Sequence, residues 1–315
     1  MERVIVGNEK SLADYLPPMR FGSFWKSPES LGEFLKDFKG KPWADAGFED
    51  DNPSWAGCRT LTEAISLAQT GWKEGVPKVV KIRDTVNALN PVAPKAIKYG
   101  ICGAIPDVPR AISGNIMNMR QLDSAFSKRK PVITLLSSMG ANCGTSGDAI
   151  TNRAAVVAAI VDQVEARGFA VEVIAIATAK AGGSTAVTAV RVKSAGQPVD
   201  IGRLAYGVGH VSMFRKLIFS SWTADKDAQF LGSCLGSSYN MDLKQLEGKN
   251  AYYLPGPEGT DVFDTEESAC KQGLDYLMNN LIDQKCPPFK GMTKKETKDK
   301  GKSIFDDFPI PMPKW

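Results

Sequence analysis

Two unbroken apolar runs, PVITLLS (131–137) and AVEVIAIATA (170–179), stand one helix apart, and no other feature restricts this chain as much. Each has strand length and many β-branched residues, and a strand apolar on both faces needs cover on both, as in parallel sheets. Between them, 149–167 carries Ala154, Val157, Ile160, Val161 and Val164 at helical spacing. Asp148 reads as its N-cap and Gly168 as its stop. Strand, helix, strand is a βαβ unit with a right-handed crossover. A GGS turn (182–184) then leads to TAVTAVRVKS (185–194). So short a turn cannot make a parallel crossover, so this third strand is expected antiparallel to the second and at the sheet edge.

The flanks follow simpler signals. A helix is expected from Ser27 to Phe38 with Pro28 in its first turn, and another over LTEAISLAQTGW with Thr62 as cap and Gly71 as stop. GVPKVVKIRDTVNALN is helical and ends before Pro91; KYGICGAIPDVPRAISGNIMNM reads as one short strand and a tight turn. Beyond the sheet, helices are expected near 210–222, over DLKQLEGK and near 265–283, with a late strand at NAYYLP (250–255). The chain divides into an irregular, helical region 1–129, an α/β domain 130–285 and a basic arm 286–315.

Composition excludes several classes. A net charge of +4 over 315 residues is too small to imply nucleic-acid binding by itself. No apolar run reaches the ~20 residues of a membrane span, and MERVIVGNEKSLADY has no signal-peptide core. Six scattered cysteines lack the paired spacing of structural zinc, and free thiols are expected. One histidine, His210, leaves any Ser-His or Cys-His mechanism resting on a single residue.

The succession of elements in VITLLSSMG, NRAAVVAAIVDQVEARGFAVEVIAIAT, TAVTAVRV and GHVSMFRKLIF resembles the von Willebrand factor A fold, closest to the bacterial members paired with chelatase-type ATPases. The implied fold class is α/β, a Rossmann-like sheet with helices on both faces. That family holds a divalent metal with D-x-S-x-S at the end of its first strand. Here Ser137 stands at the aspartate position, and Met139 and Ala141 at the serine positions. A hard cation needs carboxylates or several oxygens, so no metal and no cofactor is expected. An acid arriving from afar, Asp225 or Asp261, would reopen the metal question. The N-terminal half, with EAISLAQTGWKEGV and PDVPRAISGNIMNM, resembles a family of uncharacterised phage-encoded proteins. The setting this implies is the host cytoplasm, with the virion left open.

The loop GANCGTSGD (140–148) lacks the G-K-[ST] of a phosphate loop and the dinucleotide G-x-G-x-x-G spacing. A nucleophile at Cys143 or Ser146 would depend on distant His210. The expected role is therefore non-enzymatic, with no catalytic residue assigned. Protein partners are expected to touch a rim of Ser137, Ser138, Asn142, Thr145, Ser146 and Lys180, together with the arm. In the arm, Lys294, Lys295 and Lys298 belong to a lysine-rich stretch. Phe305, Asp306, Asp307, Phe308 and Trp315 form an acidic-aromatic tip resembling the docking tails of single-stranded-DNA-binding proteins. The alternatives are an accessory protein of phage replication or transcription that binds single-stranded nucleic acid through the lysines, and an enzyme using the 137–148 loop.

Overall fold

The computed structural model describes residues 5–6, 10–11, 24–26, 31–36, 53–91, 99–102, 105–120, 130–141, 144–181, 184–224, 228, 231, 251–257 and 259–286. The architecture is mixed α/β. In chain order the central elements are β1 (Phe24–Lys26), α1 (Leu31–Lys36), α2 (Leu61–Thr70), α3 (Val76–Leu89), β2 (Val132–Ser138), α4 (Gly147–Ala166), β3 (Ala170–Ala181), β4 (Ser184–Lys193), α5 (Ile201–Gly209), α6 (Phe219–Ala224), β5 (Ala251–Leu254) and α7 (Leu274–Asp283). A π-helical segment, Met213–Ile218, runs directly into α6. Another, Ala269–Gly273, joins the short helix Glu266–Ser268 to α7. The helix expected over DLKQLEGK and the whole arm 286–315 beyond Cys286 lie outside the described residues.

The sheet runs β5-β2-β3-β4-β1. β5, β2 and β3 are parallel neighbours, β4 is antiparallel to β3, and β1 is parallel to β4. The expected direction of β4 holds, because a two-residue connection leaves no room for a crossover. Its expected place at the edge does not. Phe24, Trp25 and Lys26 pair with Ala186, Val187 and Thr188 and add a strand outside it. A three-residue strand in an irregular, aromatic stretch carries no periodicity of its own.

Register aligns Leu135 with Val173 and Tyr252, and Ser137 with Ala175 and Leu254. These rows, apart from Ser137, belong to one hydrophobic core with α1 through α7, extending from Leu31 to Cys286. The opposite rows, including Leu136, Ile174, Ile176, Val187 and Tyr253, are buried too. Helix α4 buries nearly every side chain, including Ala155, Val156 and Ala159 opposite its expected apolar face. A helix apolar all round is a central one. It lies between the sheet, α3, α5 and the final helical run.

Both N-caps depart from expectation by two residues. Thr60, not Thr62, caps α2; its hydroxyl accepts from the Glu63 N–H at 3.1 Å, while the Glu63 carboxylate accepts from the Arg59 N–H at 2.9 Å. Gly71 ends that helix at φ +79°, a left-handed position that favours glycine. Ser146, not Asp148, caps α4 by accepting from the Ala149 N–H at 3.1 Å. Asp148 instead meets Lys78 of α3 at 2.6 Å, with most of its surface exposed. Ser146→Ala is therefore expected to lower stability by about 1 kcal/mol, and Asp148→Ala by well under half of that. Urea unfolding of the two variants checks this; equal losses would return the cap to Asp148.

The outer edge of β5 is closed by a side chain. Gln284 accepts from the Tyr253 N–H and donates to the Tyr253 carbonyl, each at 2.7 Å. One amide thus stands in for a neighbouring strand and blunts an edge open to pairing with another chain.

Candidate functional site

Strand β2 ends at the position that decides what the rim can do. Ser137 and Ser138 were expected on the surface, yet both are buried. The chain does not open after them: the Met139 N–H donates to the Ile176 carbonyl at 2.7 Å, extending the pairing with β3. The Gly140 N–H then turns back onto the Ser138 hydroxyl at 3.1 Å. Gly256, just past β5, packs against this turn so closely that a Cβ there would lie 2.1 Å from the Gly140 carbonyl oxygen. The two loops therefore meet backbone to backbone, and the serines sit beneath them.

A charge does reach Ser137, and it is a cation. Arg153, on the second turn of α4, is buried and sends its guanidinium between the ends of β2 and β5. Nη1 donates to Ser137 Oγ at 3.1 Å, Nη2 to the Leu254 carbonyl at 3.0 Å, and Nε to the Pro255 carbonyl at 2.6 Å. Burial pushes its pKa down to about 10, which leaves it charged at neutral pH. A fixed positive group bonded to the Ser137 oxygen opposes a divalent cation at the same place. Among the described residues no His, Cys, Asp and Glu come together as a metal-ligating set, and Asp225 lies outside them.

The remaining rim residues differ in exposure and in what they bond. Thr145 is half-buried, and its carbonyl accepts from Arg215 Nη2 at 3.0 Å. The same guanidinium donates to the Trp55 carbonyl at 2.8 Å and lies 4.6 Å from the centre of its ring. Ser146 is exposed, with its hydroxyl engaged in the cap. Lys180 is exposed four residues beyond the register partner of Ser138, about 13 Å further along β3. Asn142 and Cys143 lie outside the described residues.

His210 caps α5 inside a buried polar cluster, where its Nδ1 turns to Ser212, while the Ser146 hydroxyl serves the cap of α4. Its Nδ1 accepts from the Ser212 N–H at 3.2 Å and meets the Ser212 hydroxyl at 2.7 Å. Because the N–H can only donate, Nδ1 is the unprotonated nitrogen of the ring. Tyr206 stacks on the imidazole at 5.3 Å and donates its hydroxyl to the Ala64 carbonyl at 2.8 Å; Trp72 meets the ring edge-on at 4.7 Å. Burial drives the His210 pKa down to about 4 and raises the thiol of neighbouring Cys58. A Ser-His contact of this length is the geometry of an activated nucleophile, but Ser212 is fully buried. The Tyr206 bond to the Ala64 carbonyl ties α5 to α2 over this cluster.

The surface feature that the sequence reading missed lies at 99–120. Three two-residue strands, Tyr99–Gly100, Ile105–Pro106 and Met119–Arg120, pair antiparallel, with the middle of the sheet formed by the last of them. A short helix, Val108–Ile112, is capped by Asp107. The buried Asp107 carboxylate organises this lobe: it accepts from the Arg110 N–H at 3.2 Å, from the Tyr99 hydroxyl at 3.1 Å and from Arg120 Nη2 at 3.0 Å. Arg110 lies 4.0 Å over the Tyr99 ring and donates to the Met117 carbonyl at 3.2 Å. What this frame displays is apolar. Ile101, Val108, Ile112, Ile116 and Met117 are 50–82% exposed, and no other large hydrophobic among the residues whose burial is described is exposed. A signal was present in the sequence: Val108 and Ile112 fall on one side of a helix too short to bury them.

Fold and site together define an α/β protein built on a mostly parallel sheet, with a sealed rim and an apolar lobe. A family model matches residues 6–279, so the chain belongs to the family described as a domain of unknown function, DUF7192. That match takes in the lobe and the sheet alike. No curated protein matches the chain. No solved structure matches it either.

Proposed function

We propose that this chain is a non-enzymatic protein-interaction module built on a von Willebrand factor A-like sheet, and that its contact surface is the 99–120 lobe. The observation that carries this reading is the gathering of all exposed large aliphatic side chains of the described surface into one small, internally braced unit. Isolated exposed apolar residues are ordinary, whereas clustered ones mark contact sites. The A-like reading is supported by the order of β2, α4, parallel β3, antiparallel β4 and the later parallel β5. It differs from the resemblance in its extra strand β1 and at the metal position, where Ser137 stands for the aspartate and accepts from the Arg153 guanidinium. Ser137 and Ser138, buried at the strand end, belong in this reading to a structural seal and not to a contact surface. The likeness of PDVPRAISGNIMNM to phage-encoded proteins fits a role in which one chain engages another, in host cytoplasm or virion. No described helix is long and apolar enough to cross a membrane.

The test places a photo-crosslinking amino acid at Ile112 or, as a control, at exposed Lys180. Protein adducts are expected from position 112 in the cells that produce the chain and not from 180. If position 112 yields no protein adduct, the lobe is not a contact surface and the reading is lost.

A further inference from the structure

Helices α3 and α4 run in the same direction. Lys78 meets Asp148 at 2.6 Å near their first turns, and Asn87 donates to Asp162 at 3.4 Å near their last. Their C-termini therefore lie side by side, and each brings the negative end of a helix dipole to the same place. A cleft of about 180 Å³ opens there, lined by Asn87, Asn90, Asp162, Gln163 and Ala166.

Asp162 fixes which way the amides point. A carboxylate only accepts, so Asn87 turns its nitrogen to Asp162 Oδ2 and its oxygen to Gln163, whose Nε2 donates at 3.3 Å. Gln163 Oε1 is left without a protein partner, on a side chain only 3% exposed in the wall of the cleft. Asn90 also bonds through its nitrogen, to the Val86 carbonyl at 3.4 Å, and leaves its oxygen over. Asp162 Oδ1 has no bonded donor among the described residues. The cations nearby are engaged elsewhere. Arg83 donates to Asp84 at 2.9 and 2.7 Å and only stands within 3.3 Å of Asp162 Oδ2; Arg167 donates to the Gln163 carbonyl at 2.9 Å. Burial pushes the Asp162 carboxyl pKa up, and Glu165 and Asp84 add to it. The cleft thus offers three acceptor oxygens and is short of positive charge.

One carboxylate is a poor set for a hard divalent cation, which takes roughly 6–8 oxygens. A primary ammonium carries one charge and three N–H donors, one for each free oxygen. Ala166 gives its alkyl stem an apolar wall at the exposed end of the cleft. We infer that this cleft binds a primary alkylammonium group through Asp162, Gln163 and Asn90, carried by a free amine or by a lysine of another protein. The site is separate from the lobe and does not rest on its contact role.

The test is ligand-observed saturation-transfer NMR of n-butylammonium with the full chain at low salt. Half-saturation is expected at about 1 mM. Asp162→Asn keeps the shape and removes the charge, and should weaken binding by about 10-fold or more. Ala166→Leu fills the cleft from an exposed position and should do the same; urea unfolding shows that both variants are folded. No saturation below about 50 mM, or an unchanged affinity in Asp162→Asn, overturns the site. So does n-butanol binding as well as the amine, or equimolar potassium chloride displacing it, since the charge or the stem would then be irrelevant. Diaminobutane and Nα-acetyl-lysine amide separate the two sources: tighter binding of the capped lysine assigns the cleft to a protein partner, and tighter binding of the diamine assigns it to a free amine.

Discussion

Replacing Arg153 with Met should lower the unfolding free energy by about 3–4 kcal/mol, a large fraction of the ~5–15 kcal/mol that holds a domain together. Three acceptors depend on this guanidinium: Ser137 Oγ and the carbonyls of Leu254 and Pro255. Each buried acceptor left unpaired costs about 1–3 kcal/mol, and part of the sum returns because the variant no longer desolvates a cation. Met is close in length and apolar, so packing loss is small beside the lost bonds. Arg153→Lys should fall between the two, since an ammonium keeps the charge but lacks the planar fork that reaches two strand ends at once. Chemical denaturation of the three proteins decides it. A loss under about 1 kcal/mol for Met would show that the strand ends hold together without the guanidinium.

The second large effect is acid sensitivity centred on His210. Its pKa is about 4 in the folded protein, against about 6.5 when exposed. The unfolded chain therefore binds the proton first as pH falls. Stability is fully present above pH ~6.5, drops by about 1.4 kcal/mol per unit below that, and levels off near pH 4 after a total of about 3 kcal/mol. His210→Asn isolates this contribution, because Asn Oδ1 can take the place of Nδ1 as acceptor for Ser212 and does not titrate. Subtracting the variant's stability–pH curve from that of the parent removes the carboxylates common to both. A difference that stays flat between pH 7 and 4 would mean that water reaches the ring in the folded state.

Much of the sheet was legible because its strands are uniform in character. An apolar run of seven residues flanked by turn residues has few other homes, and the antiparallel step to β4 followed from a two-residue connection. The N-caps were misjudged by two residues because Thr60 and Thr62, like Ser146 and Asp148, offer similar oxygens, and the choice depends on which one the backbone leaves in extended geometry. Helix α5 went unseen, since IGRLAYGVG carries three glycines that lower helix propensity and the core supplies the compensation. The burial of Ser137 and Ser138 was unreadable for a different reason. Arg153 sits 16 residues after Ser137 on a helix read as apolar, and nothing in the linear pattern says that it points inward. The lobe was hidden because strands of two residues leave no period to read.

The parallel pairing of β1 with β4 also has a consequence in time. Residues 24–26 close the sheet against 186–188, so the earliest strand of the sheet waits for a partner made about 160 residues later. At roughly 5–20 residues per second on the ribosome, that delay is about 8–30 s. During it an aromatic segment containing Phe24 and Trp25 has been made while its docking strand has not. Contacts this distant in sequence slow folding, and the interval is when such a segment is open to chaperones or to wrong neighbours.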